Sequence, residues 1–116
     1  MNNEIIIFEN QNVKLEVNMK DETVWLSQQQ MAELFAKDRK TITRHIQNIY
    51  KDGELDENLV CSVFEHTGND GKKYNVQFYN LDIIISVGYR VNIKQCISFR
   101  ERVTNILKEY TVNKKD

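Results

Sequence analysis

Six side chains between residues 39 and 48 are of types that can read the edges of base pairs. Arg39, Lys40, Thr41, Thr43, Arg44 and Asn48 lie in a stretch whose apolar residues, Ile42, Ile46 and Ile49 with Tyr50, recur at helical spacing. Arginine can pair bidentately with guanine and asparagine with adenine, while threonine offers a hydroxyl and a methyl group. Those six are the expected base contacts. Lys37, His45, Lys72 and Lys73 are the expected phosphate contacts, which hold a protein in place without reading sequence. The partner implied is double-stranded DNA.

Such a set works only if a second helix fixes the first. Ser27 can cap a helix carrying Met31, Leu34 and Phe35 at helical spacing. Ala32 is small enough for two helices to touch there, and Ala36-Lys37-Asp38 supplies a tight turn. Asp38 can cap the following helix, Arg39 to Lys51, and Gly53 suits the left-handed position just past its end. Residues 27–51 therefore read as a helix-turn-helix, with the N-terminal end of its second helix turned to the groove.

A wing is expected next. Leu59 to His66 and Lys72 to Tyr79 read as strands of a hairpin over 59–79, joined by the turn chemistry of Thr67 to Gly71. Alternation places Tyr74, Val76 and Phe78 on one side and Asn75, Gln77 and Tyr79 on the other. Before the helix pair, Glu4 to Phe8 and Val13 to Val17 read as a hairpin around Glu9 to Asn12, and Thr23 to Leu26 as a third strand. Strands thus stand where a winged helix usually has a further helix, so later helices must complete the core.

Asn80 as a cap, with Asp82 in the first turn, favours a helix over Leu81 to Tyr89, although Ile83-Ile84-Ile85 would also suit a buried strand. Asn92 to Tyr110 is a clearer helix. Its stripe of Cys96, Phe99, Val103, Ile106 and Tyr110 reads first as a core face, and it also motivates an expected homodimer. The fold class expected is α+β, a winged helix-turn-helix-like domain over 1–112 with a disordered tail at 113–116. Its core is expected to hold Trp25, Met31, Leu34, Phe35, Ile42, Ile46, Ile49, Tyr74, Val76, Phe78, Val103 and Leu107.

The 116 residues carry a net charge of −1, so attraction to DNA would have to come from distribution rather than total charge. Residues 37–51 hold Lys37, Arg39, Lys40, Arg44 and Lys51 against Asp38 alone, whereas 1–33 and 52–57 are acidic. One basic helix in an acidic surround suits a single phosphate-facing surface. The same charges would also suit a solvated helix face, or a protein-interaction module that receives an acidic partner and has no intrinsic DNA binding.

Other classes are set aside. No nucleophile elbow or P-loop spacing is present, so no enzyme and no catalytic residue is expected. Cys61, Cys96, His45 and His66 lack the close Cys-x-x-Cys pair that nucleates zinc sites, so no metal or other cofactor is expected, and the cysteines read as free. No apolar run approaches the roughly 20 residues of a membrane span, and the first residues lack a basic signal region, so a cytoplasmic protein without membrane contact is expected.

The runs Val24 to Phe35, Thr43 to Leu55, Tyr79 to Asp82 and Val87 to Asn92 resemble the RhuM family of bacterial proteins. The resemblance extends over nearly the whole chain and corresponds to the family's N-terminal region. It implies a virulence-associated protein linked to mobile elements with a DNA-binding N-terminal module, and the function expected is transcriptional regulation. Members are usually longer, which makes this chain an N-terminal fragment or a short relative. Two departures stand out. Arg102 occupies the tryptophan position of the usual Phe-Arg-x-Trp-Ala-Thr segment, here Phe99 to Thr104, and Ala36 stands where glycine is common.

Overall fold

The computed structural model describes residues 4–10 and 13–114. It is a mixed α/β architecture with strands β1 (Glu4–Asn10), β2 (Val13–Lys20) and β3 (Thr23–Leu26), then helices α1 (Gln28–Phe35), α2 (Arg39–Lys51) and α3 (Glu57–Val60). Strands β4 (Cys61–Thr67) and β5 (Lys73–Asn80) follow, then helices α4 (Leu81–Val91) and α5 (Ile93–Lys114). The five strands form one antiparallel sheet in the order β1-β2-β3-β5-β4.

Local chemistry sets the helix ends. Ser27 Oγ accepts from the Gln30 N–H at 3.2 Å, and the Gln30 side chain accepts from the Ser27 N–H at 3.0 Å, a reciprocal capping box. Asp38 Oδ1 accepts from the Thr41 N–H at 2.8 Å, and Asn80 accepts from Asp82 and Ile83. Gly53 takes the left-handed conformation beyond α2, at φ +73°. Ala36 closes α1 in the same region, at φ 56°, with its N–H on the Ala32 carbonyl.

One face of the sheet carries the main core. Leu15, Val17 and Met19 of β2, Val24 and Leu26 of β3 and Tyr79 of β5 pack against Met31, Leu34, Phe35, Ile42, Ile46, Ile49, Ile83, Ile84 and Val87 from the helices. Phe99 of α5 reaches Phe8 of β1 edge to face, with ring centres 5.2 Å apart. Gly88 lets α4 approach α5 and α1, since a Cβ there would stand 2.5 Å from Cys96 Sγ and 2.7 Å from the Phe35 ring.

Several expectations need correction. Leu59 and Val60 are not strand: Asp56 Oδ1 accepts from the Asn58 N–H at 2.9 Å and caps the turn α3, so β4 begins at Cys61, and Leu59 is 74% exposed. On β5 the core takes Tyr79, while Tyr74 is exposed and Val76 and Phe78 are half-buried. The reason is facing. Tyr79 shares the helix-covered face with its partner Leu26, whereas Tyr74, Val76 and Phe78 alternate with it and lie on the opposite face of the sheet. Trp25 is buried, but outside the main cluster. It lies on the opposite sheet face beside Phe64, which stacks on Phe78 at 4.8 Å, and Lys20 Nζ stands 4.7 Å over the Phe64 ring.

Cys96, Phe99 and Val103 are fully buried within the chain's own core, whereas Ile106 and Leu107 are half-buried. Helix α5 runs through Asn113 and Lys114, part of the stretch expected as a tail; residues 115–116, the hairpin turn at 11–12 and the side chains of His66 and Tyr110 lie outside the described residues.

Candidate nucleic-acid interface

Burying Ile42, Ile46 and Ile49 against α1 and α4 fixes which side of α2 faces out. Lys40, Arg44, Gln47 and Lys51 recur along that outer side, and all are exposed, as is Asn48 at its flank. Arg39, in the first turn, is exposed and borders two hollows: one along α2 with Lys40, Thr43, Arg44 and Gln47, and one shared with the β4-β5 hairpin. The second hollow is lined by Ser27, Gln28 and Gln29 of the α1 start and by Asn75 and Gln77 of β5.

The two threonines sit differently. Thr41 is half-buried, and hydrogen bonds from its backbone and side chain hold the Asp38 carboxyl below the usual carboxylate range. The Thr43 hydroxyl lies 2.6 Å from Gln28 Oε1 and 2.9 Å from the Arg39 carbonyl, so its single proton is committed inside the protein. Lys37 is exposed in the turn between α1 and α2.

His45 is half-buried. Its Nδ1 is shielded from solvent without a hydrogen-bond partner among the described residues, and burial first, then the neighbouring charges of Arg44 and Arg90, lower its pKa. That shift disfavours the cationic ring in the free chain. At the hairpin tip, Lys72 is exposed, while Lys73 Nζ stands 3.7 Å from Glu65. Asp70 organises the tip by accepting from the Tyr74 hydroxyl and from the Lys72 N–H, and both bonds lower its pKa.

Sequence reasoning missed Gln47, Lys51, Gln28, Gln29, Asn75 and Gln77. Gln47 and Lys51 were findable, because they follow Lys40 at positions i+7 and i+11 on one helix face. The others required knowing that β5 comes to lie beside the start of α1.

Among the described residues, no group of three or more His, Cys, Asp or Glu side chains is placed to hold a metal ion, and no helix is long and apolar enough to cross a membrane. Cys61 is half-buried and Cys96 buried, both free, with burial raising each thiol's pKa.

The sequence profile of the virulence protein RhuM family matches residues 59–114. Over this segment, 56 of its 116 residues, the chain is similar to the RhuM family. The RhuM match covers the hairpin, α4 and α5, and so includes the runs Tyr79 to Asp82 and Val87 to Asn92. It lies in the C-terminal part of this chain, not the N-terminal part, and the similar runs within residues 24–55 precede it. No curated protein and no solved structure matches the chain.

Proposed function

We propose that this chain is a sequence-specific DNA-binding module of the winged helix-turn-helix kind and acts in transcriptional regulation. Helix α2 enters the major groove and the β4-β5 hairpin serves as its wing. One observation carries the reading: Lys40, Arg44, Gln47 and Lys51 stand on the exposed side of α2 with no acidic residue among them, beside a hairpin that ends in Lys72. Cations there would release counterions from the duplex, and Arg, Gln and Asn side chains would reach base edges.

The two-fold operators that such modules use call for a homodimer, because one helix contacts few base pairs. Cys96, Phe99 and Val103 are already spent in the core of a single chain. The dimer would therefore form through another face.

The test is duplex binding by fluorescence anisotropy, first with fragments of the source genome and then with the selected site, across a range of salt. Affinity is expected to fall steeply with salt, by a slope of about 0.9 per phosphate neutralised. Changing Arg39, Lys40 and Arg44 together to Ala is expected to abolish site preference and flatten the slope. Unaltered binding by that variant would overturn the α2 assignment, and no duplex binding by the parent chain would return it to the protein-interaction reading.

A further inference from the structure

A chain of side-chain hydrogen bonds crosses from α2 to the hairpin. The Thr43 hydroxyl of α2 donates to Gln28 Oε1 at 2.6 Å. Gln28 Nε2 of α1 donates to the Tyr79 hydroxyl of β5 at 2.8 Å, and that hydroxyl lies 3.4 Å from Gln77 Oε1 of the same strand as its donor. The Thr43 proton is shared with the Arg39 carbonyl at 2.9 Å, and the shorter contact to Gln28 continues the chain toward Tyr79. Tyr79 is 4% exposed, and Gln28 uses both ends of its amide. The link stands where the backbone gives little support, because β5 is tied to the rest of the sheet by only two pairs with β3.

This link also floors the hollow between α2 and β5. Around it stand Ser27, Gln29, Asn75 and Gln77, all neutral, and one cation, Arg39. Several neutral hydrogen-bonding groups around a single guanidinium match a phosphodiester, which carries one negative charge per unit and several acceptor oxygens.

We infer that Gln28 is a positioning residue for nucleic-acid recognition: it locks the wing to the recognition helix and fixes the hollow between them, which takes one sugar-phosphate strand of the duplex against Arg39. The inference rests on the DNA-binding reading of α2. It assigns Gln28 no contact with a base, since its amide is already engaged on both sides.

The experiment is a double-mutant cycle on duplex affinity, using two nearly isosteric changes, Thr43→Val and Tyr79→Phe, repeated in a Gln28→Leu background. With Gln28 present the two changes are expected to be non-additive by at least about threefold, as for residues in one hydrogen-bond network. With Gln28→Leu the coupling is expected to vanish. Amide hydrogen exchange of residues 75–79 in the free protein is expected to be faster in Gln28→Leu than in the parent, which ties the coupling to the wing rather than to the DNA. Additive changes with parent binding intact would overturn the role of Gln28 while leaving the DNA reading standing. Unchanged exchange at 75–79 would likewise overturn it. A parent chain that binds no duplex would overturn the DNA reading itself, and the inference with it.

Discussion

The side-chain amide of Asn92 donates to the main-chain carbonyl of Phe35 at 3.1 Å, across 57 positions of sequence. Phe35 ends α1, where a carbonyl lacks a partner within its own helix. The same Asn92 accepts from the Gln95 N–H at 3.2 Å to start α5, and its N–H donates to the Gly88 carbonyl at 2.8 Å to finish α4. One residue thus serves three helix ends. Asn92→Ala is expected to cost about 1–3 kcal/mol in urea unfolding, through a lost cap and an orphaned carbonyl. Asn92→Asp keeps the acceptor and loses the donor, so it should fall between. An Asp variant as stable as the parent would show that the Phe35 contact contributes nothing.

Ala36 holds a left-handed conformation that favours glycine, at φ 56°. Its Cβ strain is relieved by glycine, against the extra entropy that glycine loses on folding. Ala36→Gly is therefore expected to stabilise the chain modestly, by up to about 1 kcal/mol. Thermal melting that drops by several degrees would contradict the strain argument.

Gly88 has no room for a methyl group, with Cys96 Sγ and the Phe35 ring already at 2.5 and 2.7 Å from where it would stand. Gly88→Ala is expected to cost about 1–3 kcal/mol by overpacking. Adding Cys96→Ala should recover part of that loss by removing the sulfur. A double variant whose loss equals the sum of the two single losses would count against the clash as the cause.

Glu54 receives Arg90 at 2.9 Å and Ser86 Oγ at 2.8 Å, and these bonds lower its pKa. Arg90 also approaches Asp52 at 3.6 Å, so the turn after α2 is held to α4. A folded-state pKa below the unfolded one adds stability above the unfolded value, and that stability is lost as pH falls through the folded value. The parent should therefore lose stability faster than Glu54→Gln below about pH 4.5, the region where glutamates titrate. Parallel pH profiles for the two proteins would remove Glu54 from the account. The pair is largely exposed, so the difference is expected to shrink in high salt.

The two wing lysines should differ. Lys72 is exposed and makes no salt bridge among the described residues, whereas Lys73 faces Glu65. Lys72→Ala is expected to reduce the salt slope of duplex binding by about 1, weakening all sequences alike. Lys73→Ala should change it less. A shift in site preference with Lys72→Ala would mean that the wing reads bases.

Short-range chemistry made much of the chain legible. Ser27, Asp38 and Asn80 act on amides two or three residues ahead, so their capping needs only neighbours in sequence. Gly53 and the 3.6-residue period of Ile42, Ile46 and Ile49 are equally local, and so the helix pair and the direction of the α2 basic face could be read directly. Alternation along β5 defined two faces but not which one would be covered. That depended on which face the helices pack against, which is the face of Leu26 and Tyr79 and not that of Tyr74. Trp25 likewise lies on the far face because its strand neighbours Val24 and Leu26 fill the helix-covered one, and Phe64 packs beside it there. The inward turn of Cys96, Phe99 and Val103, and the bond from Gln28 to Tyr79 across 51 positions, arose only when distant segments met. Local patterns fix what a segment can become, and long-range packing decides what each of its faces touches, because burial belongs to the assembled chain and not to any stretch of it.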